Sequence, residues 1–281
     1  MTDKLKEKEE FRYAPIGVFD SGVGGLTVAR EIMRQIPKER IIYFGDTARV
    51  PYGSKSKETI IRFSRQIIRF LQSKGVKAIV IACNTASALA LETVQPEFDI
   101  PILGVVKAGA KEAAKVTKNG KIGVIATEST IESQLYTKEI HSHKPNAQVL
   151  GKPCPLFVPL VEEGWLKDPV TVEVANRYLE PLLESGIDTL IMGCTHYPLL
   201  RSTLRQIMGE KVNLVNPAYE TARELKSLLE RDGLNNDGKQ NYEGAMHEFY
   251  VSDAAEKFKQ FANSVLPYDV GTIRQINIED Y

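Results

Sequence analysis

The 281-residue sequence contains only three cysteines, one tryptophan and no net charge. Three widely separated cysteines do not make a disulfide framework and favour a reducing compartment, so we expect a cytoplasmic protein. Lys and Arg number 36, as do Asp and Glu, which leaves no electrostatic footprint for nucleic acid or an anionic membrane surface. No apolar run approaches the roughly 18–20 residues that span a bilayer. The composition therefore argues against nucleic-acid-binding and membrane proteins.

The two most polar stretches are expected to lie outside the core. The N-terminal segment 1–12 is crowded with Lys and Glu and lacks the apolar centre of a signal peptide or anchor. We expect it to be frayed or to form an added helix. The segment 232–244 is rich in Asn, Asp and Gly, which is typical of a surface loop.

Short β-branched runs alternate with longer segments of helical period. Apolar residues between Lys57 and Lys74 form one helical stripe, and Gly75 follows where a helix would end. A second helix is predicted to start at Asp168-Pro169, with Asp as the N-cap and Pro in the first turn. Continuous apolar strands separated by helices predict mainly parallel sheets that helices cover on both faces. The predicted strands are 16–19, 41–44, 78–82, 102–106, 122–125, 189–192, 212–215 and 249–252.

The sequence contains an internal repeat. Segments 78–85 and 189–196 each combine a buried strand, a small residue, a cysteine and then polar residues. A similar apolar strand precedes each of them, beginning near Ile16 and Ile122. The repeat predicts an α/β fold with two pseudo-symmetric lobes, each with a mainly parallel sheet flanked by helices, and an active site in the cleft between them. We expect the first lobe to comprise 1–98 and 210–281 and the second to comprise 99–209.

The two cysteines of the repeat, Cys83 and Cys194, directly follow predicted strands, and so does Asp20. Ligands collect beyond the carboxyl ends of parallel strands, so we expect these three side chains to face one cleft. Each cysteine also precedes an expected helix N-terminus, where backbone N–H groups favour the reactive thiolate. Two thiols on opposite sides of a carbon could remove a proton from one face and return one to the other. That is the chemistry of a racemase.

A purely structural role is the alternative for each cysteine. A single cysteine beside an apolar strand is more commonly a small buried hydrophobic residue. Matched positions in a repeat make that role much less favoured for Cys83 and Cys194. Cys154 has no counterpart in the other half, so we expect a structural role for it.

Polar residues next to the thiols are candidates to assist proton transfer. His196 follows Cys194 by two residues and can act as an acid, a base or a substrate partner, although a structural histidine is the alternative. Asp20 and Ser21 open a glycine-rich turn. The carboxylate could hold a substrate ammonium or assist at Cys83, and both residues are also favoured as helix N-caps.

Further candidates for substrate binding lie in turns. The turn Pro51-Tyr52-Gly53-Ser54 offers hydroxyls and backbone N–H groups for a carboxylate, although an ordinary turn would account for the same residues. Asn84, Thr85 and Thr195 are neutral hydrogen-bonding residues that can hold an α-carboxylate.

The glycines after Asp20 do not form a phosphate loop. Their spacing is not Gly-x-Gly-x-x-Gly and no Lys follows, so we expect them to allow close packing of the first helix on the sheet. Cys83, Cys194 and His196 lack a Cys-x-x-Cys pair and a fourth ligand, which argues against a metal site. We therefore predict no metal and no cofactor.

Four sequence blocks in the same order resemble those of bacterial glutamate racemases. The resemblance extends from Ile16 to about 251–253, nearly the whole chain. Where the family often has Glu-Pro-Gly or Gln-Pro-Gly, this chain has Lys107-Ala108-Gly109, a departure that bears on the hinge or dimer contacts more than on the chemistry. The blocks are 19–26 (FDSGVGGL), 45–53 (GDTARVPYG), 82–86 (ACNTA) and 193–198 (GCTHYP).

The resemblance implies a cofactor-independent, homodimeric enzyme that interconverts L- and D-glutamate and supplies D-glutamate for peptidoglycan. It implies that Cys83 acts on the D-enantiomer and Cys194 on the L-enantiomer, with Asp20 and His196 assisting on their respective sides. An aspartate racemase or a related two-cysteine amino-acid racemase is the alternative enzyme. A small-ligand-binding or regulatory protein with inactive cysteines is disfavoured, because both cysteines and both assisting residues are present.

Overall fold

Ten strands form two sheets in the computed structural model, which describes residues 11–239 and 246–281. The predictions for residues 1–10 and 240–244 lie outside the described residues. The strands are β1 (Ile16–Asp20), β2 (Ile41–Gly45), β3 (Ala78–Ile81), β4 (Ile102–Gly104), β5 (Lys121–Ala126), β6 (Gln148–Pro153), β7 (Thr189–Gly193), β8 (Asn213–Val215), β9 (His247–Val251) and β10 (Ile273–Gln275).

Helices connect the strands and cover the sheets. They are α1 (Leu26–Gln35), α2 (Lys57–Ser73), α3 (Asn84–Leu89), α4 (Leu91–Val94), α5 (Val105–Val116), α6 (Glu128–Glu132), α7 (Leu135–His143), α8 (Phe157–Glu162), α9 (Pro169–Glu184), α10 (Arg201–Met208), α11 (Pro217–Asp232) and α12 (Ala255–Val265). Short 3-10 helices lie at Tyr52–Ser54, Gln95–Glu97, Tyr197–Leu200 and Ile278–Asp280.

Both sheets are parallel, and four strands of the larger sheet have the same order as the four strands of the smaller one. The six-stranded sheet has the order β10-β9-β2-β1-β3-β4, and the four-stranded sheet has the order β6-β5-β7-β8. All strand pairs in both sheets are parallel. The series β2-β1-β3-β4 is thus repeated as β6-β5-β7-β8, which is the internal repeat expressed in three dimensions. The predicted α/β class with two mainly parallel sheets is confirmed.

Each sheet is covered by apolar residues on both faces. Along β1, Val18 belongs to one apolar cluster and Phe19 to the cluster on the opposite face, as the alternation of side chains in a strand requires. The second sheet likewise separates two clusters, with Ile125 in one and Val124 in the other. This double coverage explains why the strands read as continuous apolar runs.

Both predicted helices are confirmed, and so is the start signal predicted for the second. The N–H of Thr59 donates to the side chain of Ser56, which caps α2. The N–H of Val170 donates to the Asp168 carboxylate, which caps α9 as predicted.

Strand membership differs from the predicted lobe boundaries at two places. The prediction assigned 99–104 to the second lobe, but β4 pairs with β3 in the six-stranded sheet. It assigned 210–215 to the first lobe, but β8 pairs with β7 in the four-stranded sheet. The chain therefore crosses between the sheets one strand later than expected each time, within α5 and then within α11.

The two crossing helices approach each other closely. A Cβ atom on Gly109 of α5 would lie 2.9 Å from Cγ of Pro217 on α11. The segment Lys107-Ala108-Gly109, which departs from the family pattern, therefore lies where the two connections between the sheets pack together. Only a residue without a side chain fits at position 109 without moving one of these helices.

The predicted surface loop at 232–244 is partly buried in its described residues. Lys77, whose side chain is fully buried, places Nζ 2.5 Å from Oε2 of Glu39 and donates to the carbonyl of Leu234 at 2.8 Å. The N–H of Asn236 donates to the same Glu39 carboxylate at 2.8 Å. A buried ion pair with further hydrogen bonds thus anchors 234–236 against the amino-terminal edge of the sheet.

Candidate active site

The residues predicted to take part in proton transfer lie at the carboxyl ends of parallel strands. Asp20 ends β1, Cys83 caps the start of α3 after β3, and Cys194 directly follows β7. Their exposed fractions are 0%, 6% and 7%. Since β3 and β7 occupy the same place in their sheets, the two cysteines are structurally matched.

The two carboxyl edges face each other across several direct contacts. The hydroxyl of Thr27 in the first lobe donates to the carbonyl of Thr195 in the second at 2.8 Å. Oγ1 of Thr85 lies 3.0 Å from Oγ1 of Thr127, which follows β5. The boundary between the two lobes, the cleft, therefore runs beside the buried thiols, since Thr85 and Thr195 are close to them in the chain.

Cys83 is held as a neutral thiol. It donates to Oγ of Ser21 at a separation of 3.6 Å. Burial and then the negative charge of Asp20 raise the pKa of Cys83 to about 12, although the backbone N–H of Ala86 acts in the opposite direction. The backbone N–H contribution predicted at the helix N-terminus is therefore present at Cys83, but burial and Asp20 outweigh it and the net shift of the pKa is upward.

Asp20 is a buried carboxyl group with spare hydrogen-bonding capacity. Its Oδ2 accepts the N–H of Gly22 at 3.0 Å, and its Oδ1 has no hydrogen-bond partner among the described residues. Burial raises the pKa of Asp20, and the positive charge of His196 opposes that shift. A buried acceptor of this kind suits a ligand that brings its own donors.

His196 lies between the second thiol and a carboxylate. Its Nδ1 is 3.7 Å from Sγ of Cys194, and its Nε2 is 3.1 Å from Oε1 of Glu162. Burial alone would lower the pKa of His196, but the hydrogen bonds to Cys194 and Glu162 outweigh it and raise the pKa to about 10. The hydrogen bond to His196 in turn lowers the pKa of Glu162. The arrangement keeps a proton on the imidazole next to Cys194.

The glycine-rich turn after β1 brings the lobes together. A Cβ atom on Gly24 would lie 2.3 Å from Oγ1 of Thr195 and 2.5 Å from Nδ1 of His196. A Cβ atom on Gly25 would lie 2.4 Å from Cβ of Asp20. Gly25 therefore allows close packing within the first lobe, as predicted, whereas Gly24 allows close approach to the second lobe.

The turn Pro51-Tyr52-Gly53-Ser54 also reaches the second lobe. The carbonyl of Gly53 accepts the hydroxyl of Ser129 at 2.5 Å. The Tyr52 hydroxyl donates to the buried carboxylate of Asp46 and so holds the turn in place. Pro51 and Ser54 are exposed at its rim. The first N–H groups of the 3-10 helix at 52–54 have no partner within that helix, so this turn presents backbone donors.

The neutral polar residues join a network that spans the cleft. Oγ1 of Thr127 lies 3.0 Å from Thr85 and 2.8 Å from Thr130, so three hydroxyls form one cluster. Oδ1 of Asn84 accepts the hydroxyl of Tyr136 at 2.7 Å.

Several of these residues were missed by the sequence analysis. Thr127 directly follows β5 as Ser21 directly follows β1, so the internal repeat carried the signal for Thr127. Glu162 lies at the end of α8, after a strand that the apolar pattern did not reveal, and no sequence feature marks it.

The rest of the described chain contributes no further chemical cluster of this type. No group of three His, Cys, Asp or Glu side chains in 11–239 and 246–281 is arranged to hold a metal ion. Within the same ranges, no helix is both long and apolar enough to traverse a lipid bilayer. Cys154 is buried, and all three cysteines are free thiols.

Two buried thiols at equivalent strand ends, one near Asp20 and one 3.7 Å from Nδ1 of His196, form the candidate active site of a two-lobed α/β protein. The family model of Asp/Glu/hydantoin racemases matches residues 16–225. The chain belongs to this racemase family, which confirms the resemblance inferred from the sequence blocks.

Individual relatives agree along nearly the full length. The chain is 48% identical to the glutamate racemase of Geobacter metallireducens over 264 residues, 94% of this chain and 97% of that protein. The crystal structure of glutamate racemase isoform RacE1 from Bacillus anthracis matches with a TM-score of 0.89 and 41% identity, covering 94% of this chain and 98% of the other. The glutamate racemase of Francisella tularensis in complex with D-glutamate matches with a TM-score of 0.88 and 40% identity, covering 96% and 100%.

Proposed function

We propose that this enzyme interconverts L- and D-glutamate by proton transfer at the α-carbon between Cys83 and Cys194, without a metal or an organic cofactor. The observation that carries the proposal is the matched placement of two buried thiols after β3 and β7. The similarity to glutamate racemases, one of them in complex with D-glutamate, supports glutamate as the substrate.

The proposed reaction moves one proton off the α-carbon and one onto it. With L-glutamate, the Cys194 thiolate takes the α-proton, and the Cys83 thiol gives its proton to the opposite face of the carbanion. One C–H bond breaks and one forms, and the thiol and thiolate exchange places. The neutral Cys83 and the protonated His196 beside Cys194 suit this direction. D-Glutamate reverses every step, with Asp20 assisting at Cys83.

The substrate is held by neutral donors at one end and by a turn at the other. We assign the ammonium to the free oxygen of Asp20, and the α-carboxylate to Ser21, Asn84, Thr85 and Thr195. The γ-carboxylate then lies at the turn 51–54, where backbone N–H groups and the hydroxyls of Thr127 and Thr130 meet.

Glutamate is expected to react much faster than aspartate. Shortening the substrate by one methylene withdraws its carboxylate from the turn and leaves buried donors unpaired. A lost hydrogen bond to a charged group costs roughly 1.5–3 kcal/mol, or about one to two orders of magnitude in kcat/KM. The loss of circular dichroism with L-glutamate and with L-aspartate measures this ratio. Comparable kcat/KM values would favour the aspartate racemase alternative, and no reaction with either would favour a binding protein.

Glu162→Gln is expected to shift the pH dependence of the reaction. Without the carboxylate at Nε2, the pKa of His196 falls toward its ordinary value, so the basic limb of the kcat/KM profile moves to lower pH. We expect kcat/KM at neutral pH to fall about tenfold, because the protonated imidazole no longer stabilises the Cys194 thiolate as well. The neighbouring variant Glu163→Gln is the matched control. An unchanged profile in Glu162→Gln would remove Glu162 from the proposed mechanism.

The pair His196 and Glu162 also determines in which direction the free energy of unfolding changes with pH. The folded pKa of His196 is raised from 6.5 to about 10, so the folded chain binds more protons than the unfolded chain in that window. The contribution to the free energy of unfolding is therefore complete below pH 6.5 and is lost as the pH rises through about 10. We expect urea unfolding of the wild type between pH 6.5 and 8.5 to lose stability more steeply than that of Glu162→Gln.

We further propose that the enzyme is a cytoplasmic homodimer that supplies D-glutamate for peptidoglycan. The three free cysteines support a reducing compartment. The dimer and the cellular role rest on the resemblance to glutamate racemases alone.

A further inference from the structure

Tyr136 reaches from the second lobe into the first. It is the second residue of α7, and its hydroxyl donates to Oδ1 of Asn84 at 2.7 Å. Both side chains are buried, with 3% and 4% of their surface exposed. Asn84 directly follows Cys83, so this hydrogen bond ends beside the first thiol.

The ring of Tyr136 lies against Gly193, the residue before the second thiol. A Cβ atom on Gly193 would be 3.1 Å from Cε2 of Tyr136, and Gly193 directly precedes Cys194. One side chain therefore contacts the neighbour of each cysteine.

The backbone before α7 is held in an uncommon conformation. Gln134, at the N-cap of α7, has a φ of 54°, in the left-handed region that residues with a side chain rarely adopt. Such conformations persist where the surroundings require them, often at functional sites. The sharp turn between α6 and α7 carries Leu135 and Tyr136 into the interior.

The hydrogen bond determines what Asn84 can offer to a ligand. A side-chain amide has one oxygen acceptor and two N–H donors, and here the oxygen is occupied by Tyr136. Burial raises the pKa of Tyr136 above its usual range, so the hydroxyl keeps its proton and remains a donor to Asn84. The amide of Asn84 is thus fixed with its donors available, which suits a carboxylate.

We infer that Tyr136 is a positioning residue: by fixing the amide of Asn84 and packing on Gly193, it sets the substrate carboxylate site between the two thiols. This inference rests on the proposed function. Tyr136 acts through Asn84 and has no assigned contact with the substrate.

The variant Tyr136→Phe removes the hydroxyl and keeps the ring. The carboxylate contact of Asn84 exists in the ground state and the transition state alike, so its loss raises KM more than it lowers kcat. We expect KM for glutamate to rise about tenfold, with kcat within about threefold of wild type. A merely structural role would lower the active fraction, and with it kcat, without changing KM.

Tyr197→Phe is the matched control. Tyr197 is a buried tyrosine of the same lobe, and its hydroxyl donates to the carbonyl of Cys154 at 2.8 Å. The variant Tyr197→Phe loses a comparable hydrogen bond and leaves Asn84 unchanged. We therefore expect its free energy of unfolding in urea to fall as much as that of Tyr136→Phe, while its KM stays at the wild-type value. The double variant Asn84→Ala/Tyr136→Phe should show no KM increase beyond that of Asn84→Ala, because the two residues act as one unit.

The outcomes separate the inference from the proposed function. A wild-type chain that does not racemise glutamate overturns both. An active wild type with an unchanged KM in Tyr136→Phe, or with multiplicative KM effects in the double variant, overturns the inference alone.

Discussion

We expect Cys83→Ala and Cys194→Ala each to lower kcat/KM by at least about a thousandfold, equivalent to about 4 kcal/mol of transition-state stabilisation. Removing a proton from one face and returning one to the other requires a group on each side of the α-carbon. L- and D-glutamate have equal free energies in water, so kcat/KM must fall by the same factor in both directions. The change in circular dichroism with either enantiomer measures this.

The single variants should still differ in one respect. Cys83→Ala retains the thiol that faces the α-proton of L-glutamate, so this proton should exchange with deuterium oxide without inversion. Cys194→Ala should likewise exchange the α-proton of D-glutamate with deuterium oxide without inversion. Cys154→Ala is the matched control, since it removes the third buried thiol, which lies outside the proposed site. A single variant with near wild-type turnover would exclude the two-thiol mechanism.

Gly24→Ala is expected to have the second largest effect on catalysis. The added Cβ would lie 2.3 Å from Oγ1 of Thr195 and 2.5 Å from Nδ1 of His196, so these two side chains, or the lobe that carries them, must shift. Displacing a reacting group by about 1 Å can cost about a hundredfold in rate, and we expect kcat/KM to fall by about that factor. Racemisation and urea unfolding should be measured on the same preparation.

Gly209→Ala is the control for Gly24→Ala, because we expect it to lower stability and leave catalysis unchanged. Gly209 has a φ of +73° with no atom within 4 Å of an added Cβ, so the substitution strains the backbone without obstructing the cleft. We expect it to lose about 1 kcal/mol of stability and to keep its activity. If Gly24→Ala retained wild-type kcat/KM, close approach of the lobes at this turn would not be needed for catalysis.

The sequence predicted the parts of the fold that repeat or that have strong periodicity. Apolar runs located eight of the ten strands, and the repeated cysteines located both thiols. Strand β6 was missed because its residues are only partly buried and include Gly151 and Pro153. The repeat would have revealed it, since Gln148 lies 26 residues after Ile122 and Ile41 lies 25 residues after Ile16.

The electrostatic state of the site was less accessible to sequence reasoning. A cysteine at a helix N-terminus predicts a lowered pKa, but the burial of Cys83 and the proximity of Asp20 reverse the direction. Glu162 was invisible because it reaches His196 from a helix 34 residues earlier in the chain. Local motifs thus marked the candidate reactive atoms, and tertiary packing sets the pKa shifts of Cys83 and His196.

The order of strands in the larger sheet has a consequence for synthesis of the chain. Strand β2 pairs with β9, and their first partners, Ile41 and His247, lie 206 residues apart. Until that late segment leaves the ribosome, the buried and apolar β2 presents an unpaired edge, while the whole second sheet, β5 to β8, has already been made. The lobe that begins first is therefore completed last, and a nascent chain is most exposed to edge-to-edge association during this interval.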